Sequence, residues 1–149
     1  MHKNTHKGNR KVKNAVAKTY SGIQFKSLLE VKVFKALQEE GFNPDYEQNK
    51  FTIWNGFKPS VKFFDRDKQS GVLKLQEKKI LPITYTPDIT FFYKGKMIII
   101  EVKGFETDVF LIKRKLFRGY LEANKIDCLY FQIYDNLTLQ QAIAIIKSL

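Results

Sequence analysis

The stretch Met97–Lys103, MIIIEVK, constrains the fold more than any other part of the chain. Ile98, Ile99 and Ile100 are consecutive and β-branched, so a strand through them is apolar on both faces and belongs near the centre of a covered sheet. The run then ends in Glu101-Val102-Lys103. Side chains alternate along a strand, so Glu101 and Lys103 leave on one face while Val102 leaves on the other. Two charges are thereby delivered to the rim of the core.

A partner strand precedes it. Ile83–Tyr93 and Met97–Lys103 read as two strands joined by the tight turn Lys94-Gly95-Lys96. Asp88 follows Pro87 early in the first strand and lies thirteen positions before Glu101, with the turn about midway. Strands of equal length bring both carboxylates to one end of the hairpin. Two carboxylates and a lysine at one point make a hard oxygen site suited to Mg²⁺ or Mn²⁺. A metal held there offsets phosphate charge and lowers the pKa of a bound water. Lys103 is placed to orient or deprotonate that water, or to stabilise charge on a phosphorane. Val102, between the two charged residues, can offer its backbone carbonyl. The bland alternative is a surface salt-bridge pattern. Three features weigh against it: Pro-Asp near a strand start, an apolar strand ending in Glu-Val-Lys, and an upstream helix bearing Glu30.

That helix is expected over Phe25–Glu40, where Leu28, Leu29, Val33, Phe34, Ala36 and Leu37 recur mostly at three and four, with Gly41 as its stop. Glu30 falls at the edge of the apolar stripe and is the candidate third carboxylate. Tyr46–Phe64 carries strand and turn chemistry, with a hairpin as one reading. Residues 65–79 read as an exposed connection with a short strand at Val72–Leu75. Asp108–Asn124 reads as a helix, Asp127–Tyr134 as a strand, and Leu139–Leu149 as a last helix capped by Asn136 or Thr138. Trp54, Tyr46 and Phe57 read as core or interface rather than base-stacking groups. Gln132 either faces the carboxylate site or is edge polarity.

Twenty-six Lys and Arg against 15 Asp and Glu leave a formal charge of +11 on 149 residues. A polyanionic partner follows, with nucleic acid ahead of an anionic membrane surface. Residues 1–20 hold six basic residues and no acid, and are expected to form a flexible basic arm, either a solvated tail or an arm that contacts nucleic acid through Arg10, Lys11 and Lys13. Residues 21–149 then form a single domain. The 44% hydrophobic content is enough for a core. The single cysteine, Cys128, excludes an intrachain disulfide or cysteine-based zinc site and reads as a buried strand residue. His2 and His6 lie in the polar arm, which argues against histidine chemistry. No run reaches the roughly 20 apolar residues of a membrane span, and no apolar core follows the first charges as in a secretory signal. A cytoplasmic protein is expected.

Pro87-Asp88 followed by Glu101-Val102-Lys103 resembles the PD-(D/E)xK nuclease superfamily. Ser27–Glu47, Tyr85–Ile89 and Glu101–Gly104 are similar to the phage Holliday-junction resolvases of the endonuclease I type. Gly22 through Leu111–Phe117 looks still more like small phage and prophage nucleases. The resemblance implies an α/β fold of restriction-endonuclease-like αβββαβ order, with a mixed central sheet flanked by helices. It implies that Asp88 and Glu101 bind Mg²⁺ or Mn²⁺, that Lys103 is the catalytic lysine, and that Glu30 acts on the metal directly or through water. The expected activity is phosphodiester hydrolysis in DNA, branched DNA above all, by a chain that can act as a homodimer. Lys113, Arg114, Lys115 and Arg118 on the following helix are candidate phosphate contacts, with a solvated helix face as the alternative for each. Two alternatives stay open: a non-catalytic basic nucleic-acid-binding module of a phage assembly, and a restriction- or transposon-type nuclease that needs a partner.

Overall fold

A computed structural model describes residues 18–149. Arg10, Lys11 and Lys13, and with them nearly all of the expected basic arm, lie outside the described residues. Lys18–Tyr20, the end of that segment, is strand β1, paired in an antiparallel hairpin with β2 (Ile23–Phe25).

The central sheet is mixed and four-stranded, in the order β10 (Cys128–Ile133), β9 (Lys96–Val102), β8 (Ile89–Tyr93), β3 (Asp45–Tyr46). The isoleucine run occupies β9, an inner strand, and Ile98, Ile99 and Ile100 are fully buried. Strand β8 turns into β9 through Lys94 (φ 48°) and Gly95 (φ 84°). Two consecutive left-handed residues close a two-residue turn whose twist matches that of the strands. Strand β10 runs parallel to β9, which requires a crossover; α2 (Asp108–Ala123) supplies it.

Alternation along β9 divides the core in two. Ile98, Ile100 and Val102 pack with Val33, Phe34 and Leu37 of α1 (Leu28–Glu39) and with Leu139, Ile143 and Ile146 of α3 (Asn136–Lys147). Met97 and Ile99 pack on the other face with Phe117 and Leu121 of α2. That second face also receives Ile53 and Tyr85 from a small antiparallel sheet of β4 (Phe51–Trp54) and β7 (Ile83–Tyr85). The fold is therefore α/β, with three helices among the described residues and a mixed sheet covered on both sides. Taken along the chain, α1 and the strands and crossover of the central sheet follow the order α1, β3, β8, β9, α2, β10. This is the expected αβββαβ succession.

Several boundaries differ from expectation. The strand expected over Ile83–Tyr93 is two strands in two sheets, because Pro87 offers no ladder N–H and marks the point where the chain leaves β7 and enters β8. Phe25 ends β2 rather than opening α1, whose N-cap is Ser27. There is no hairpin within Tyr46–Phe64: β4 pairs with β7, while β5 (Phe63–Arg66) pairs with β6 (Leu73–Gln76). Gly56 is not a turn residue there. A Cβ at that position would lie 2.3 Å from the Ile80 carbonyl oxygen, so the glycine lets two backbones pass in contact. The last helix is capped by Asp135, with Thr138 as its reciprocal partner three residues on. Cys128 begins β10 half-buried instead of fully buried.

Candidate active site

The ladder between β8 and β9 pairs Ile89 with Ile100. One step further, Asp88 stands opposite Glu101, on the sheet face that looks towards α2. Both are buried, at 8% and 4% exposure. Asp88 Oδ2 accepts the Val102 N–H at 2.7 Å, which ties the residue before β8 to the end of β9. Lys103 continues the ladder towards β10 through its N–H to the Ile133 carbonyl at 2.8 Å. Its Nζ lies 2.6 Å from Glu101 Oε1, and 4.1 Å from the centre of the Phe110 ring. The structure thus brings Asp88, Glu101 and Lys103 together at one end of the most apolar strand. Val102 takes part through its N–H.

Glu101 is held from its other side by residues the sequence reading did not single out. Tyr85 donates to Glu101 Oε2 at 2.6 Å, and its oxygen lies 2.9 Å from the Tyr130 hydroxyl. With the Tyr85 proton committed to the carboxylate, Tyr130 is the donor in the second bond. Burial and the Glu101 charge push the Tyr85 hydroxyl far above its ordinary range, so it stays protonated. Tyr130 is pushed up to about 12, first by burial. Tyr130 and Gln132 share the face of Glu101, because Gln132 is Glu101's partner in the parallel ladder. A signal for both lay in the sequence, in the alternation along CLYFQI.

Asp88 is the perturbed group. Burial, then the neighbouring Glu101 carboxylate, push it up from the ordinary carboxylate range to about 7, against the Val102 hydrogen bond that favours the anion. Two buried carboxylates side by side form a site short of positive charge, which Lys103 offsets only in part. The donor set therefore fits a hard divalent cation.

Glu30 is placed differently from expectation. It is the third residue after the Ser27 cap, and its Oε1 accepts from the Ser27 hydroxyl at 2.9 Å. Oε2 accepts from Tyr46 at 2.6 Å and from the Lys26 N–H at 2.9 Å. Its charge acts on Asp88, yet among the described residues no three His, Cys, Asp or Glu side chains are grouped to hold a metal ion. The Ser-x-x-Glu spacing was a capping signal within the helix start. Tyr46, expected in the core or an interface, is in the core and anchors Glu30.

The basic residues of α2 divide. Arg114 Nη1 donates to Glu106 Oε1 and Gln132 Oε1, each at 2.7 Å, and Glu106 also accepts from Tyr134 at 2.9 Å. Lys113 Nζ donates to the Thr84 carbonyl at 3.2 Å. Lys115 and Arg118 are exposed. Arg114 and Arg118, with Lys125 and Tyr130, line a groove of about 720 Å³ that lies beside the carboxylates rather than over them. Gln132 thus belongs to the site face as a partner of Arg114.

A mixed sheet flanked by helices, ending in two buried carboxylates and a lysine, defines an α/β protein with a charged centre at the end of an inner strand. The chain belongs to the family described as "Protein of unknown function (DUF1064)", whose match spans residues 10–147. No curated protein and no solved structure matches it. No helix among the described residues is long and apolar enough to cross a membrane.

Proposed function

We propose that this protein is a metal-dependent endonuclease that hydrolyses phosphodiester bonds in DNA, with a preference for branched substrates. The observation that carries the reading is the meeting of Asp88, Glu101 and Lys103, with Asp88 raised to about 7 by burial and by the second carboxylate. A carboxylate pair that resists being doubly charged, set at a sheet end, is a functional-site signature. Asp88 and Glu101 would hold Mg²⁺ or Mn²⁺, with the Val102 carbonyl as a further oxygen. When bound, the ion supplies charge neutralisation at phosphate and an acidified water.

The chain's own residues do the rest. Tyr85 and Tyr130 fix the Glu101 carboxylate from behind. Lys103, clamped between Glu101 and the Phe110 ring, presents an ammonium where a water or a phosphate oxygen can meet it. Glu30 shapes the field at Asp88 from the start of α1. Lys115 and Arg118 are the α2 residues exposed to take phosphates, and Arg114 organises the groove wall. The formal charge of +11 supports backbone binding that weakens with salt.

The test is incubation of the purified chain with labelled four-way junction, flap and linear duplex DNA in Mg²⁺ and in Mn²⁺. Cleavage abolished by Asp88→Ala is expected, and no cleavage on any substrate with either metal would sink the enzyme reading. The same charge favours a second reading, a non-catalytic basic module. That reading expects binding that survives EDTA and no activity that Asp88→Ala changes.

A further inference from the structure

Strands β5 and β6 form a ribbon that leaves the small sheet between β4 and β7. Seven of the eight ladder residues are exposed and the eighth, Gln76, is half-exposed. A two-stranded ribbon bared on both faces has little reason to form for its own stability. Its two faces differ. Phe64 pairs with Leu75 and Arg66 with Leu73 on one, while Phe63 pairs with Gln76 and Asp65 with Lys74 on the other. The Phe63 face opens on a groove of about 540 Å³ at the ribbon base, whose lining includes the apolar Phe57, Phe63 and Ile80 and three lysines, Lys58, Lys78 and Lys79, against one acid, Asp65. Phe57 and Phe63 are 47% and 59% exposed, so Phe57, expected in the core or an interface rather than stacking on bases, stands at the surface beside Phe63, with Trp54 T-shaped against it.

Charge decides what fits. Phe57–Pro82 holds seven basic residues and three acidic ones. Aromatic rings flanked by lysines match a ligand with flat apolar groups strung on an anionic backbone. The groove is also near the carboxylates along the chain. Ile80, which lines the groove, is five positions before Tyr85, whose hydroxyl touches Glu101, a span of roughly 17 Å in fully extended chain. This is well within the footprint of one bound nucleic acid.

We propose that the ribbon groove binds nucleic acid at bases freed from pairing, with Phe57 and Phe63 stacking on them and Lys58, Lys78 and Lys79 on the adjoining phosphates. The groove then selects substrates that carry a single-stranded stretch beside a duplex. This rests on the reading of the chain as a nucleic-acid protein and not on its cutting anything.

The experiment uses the full chain in EDTA. Fluorescence anisotropy measures binding to a single-stranded oligonucleotide, a flap and a linear duplex, with 2-aminopurine in the unpaired stretch reporting stacking. Phe63→Ala is expected to weaken single-strand and flap binding about 10-fold and abolish the 2-aminopurine change, with duplex binding within about two-fold. Lys78→Gln with Lys79→Gln lowers the salt slope of single-strand binding by about one to two. Phe64→Ala, on the opposite face, leaves all three affinities in place. Unchanged binding and fluorescence in Phe63→Ala overturn the proposal. So does a Phe64→Ala chain that loses as much DNA affinity as Phe63→Ala. So, too, does a Phe63→Ala chain that turns from dimer to monomer in light scattering while keeping its DNA affinity, since the groove is then a protein contact. Cleavage is scored separately in Mg²⁺. A chain that stacks bases but never cuts upholds the groove and defeats the nuclease, and one that cuts while Phe63→Ala binds normally does the reverse.

Discussion

Asp88→Asn should make the metal-free protein more stable, and the size of the gain follows from the site. The folded Asp88 carboxyl sits at about 7 because it is buried and faces Glu101. Its unfolded value is the ordinary one, so the folded chain holds an extra proton between about pH 4 and pH 7 and loses stability as pH rises through that window. Above it, keeping Asp88 ionised costs the fold on the order of 4 kcal/mol, at about 1.4 kcal/mol per pKa step. Asparagine removes the charge and keeps an oxygen for the Val102 N–H. For a chain of this length each kcal/mol is worth about 2–4 °C of Tm, so the variant should melt on the order of 10 °C higher at pH 8 in EDTA. The gap should narrow as pH falls towards 4. Thermal melts across that range, with and without Mg²⁺, measure it. Mg²⁺ should raise the melting temperature of the parent and not of the variant. A variant that melts below the parent at pH 8, or a gap that ignores pH, would refute the reasoning.

Three further substitutions separate the roles around this centre. Lys103→Ala should slow cleavage by about 10²–10⁴-fold while DNA affinity in EDTA stays within a few-fold; equal losses in both would undo its assignment to the chemistry. Tyr85→Phe leaves Glu101 Oε2 and the Tyr130 hydroxyl without their shared partner. It should cost about 1–3 kcal/mol in denaturant melts and lower the single-turnover rate more than the affinity. An unchanged melt and rate would make the tyrosine pair incidental. Glu30→Ala should destabilise by about 2 kcal/mol by orphaning the Tyr46 hydroxyl and the Lys26 N–H, whereas Glu30→Gln should fold normally and keep most of the cleavage. A fully folded Glu30→Gln chain that no longer cuts would return Glu30 to the metal set.

What the sequence made legible was whatever a short period or a fixed spacing encodes. Three isoleucines in a row announce an inner strand, and the thirteen-residue interval across the turn at Lys94-Gly95 sets Asp88 opposite Glu101, as the Ile89–Ile100 pairing bears out. Helix α2 and strand β10 were equally plain. What escaped depends on partners distant in the chain. Nothing local says that Phe51–Trp54 pairs with Ile83–Tyr85 rather than with its neighbour, or that Asn55-Gly56 serves a backbone crossing instead of a turn. The β5–β6 ribbon, exposed throughout, has no buried face to impose a period on its sequence. Glu30 was found as a carboxylate in the right helix, but its spacing from Ser27 also spells a cap, and one residue can answer to both patterns.

The misread strand explains why Tyr85 was missed. A single strand over Ile83–Tyr93 would put Tyr85 and Asp88 three positions apart on one ribbon, with side chains on opposite faces. Pro87 breaks that ribbon, and the chain changes sheets between the two residues. Tyr85 then reaches Glu101 from the small sheet, while Asp88 reaches the end of β9 from the large one. Pro87, the first residue of the motif that the chain resembles, is thus also a topological device. It lets three consecutive positions after Tyr85 carry the chain around the Glu101 carboxylate, so that a hydroxyl and a second carboxylate converge on it from two layers. A carboxylate pair of this kind costs stability wherever it is buried. The stiff isoleucine strand beneath it, packed on both faces, is what allows the fold to hold two such charges in place without opening to water.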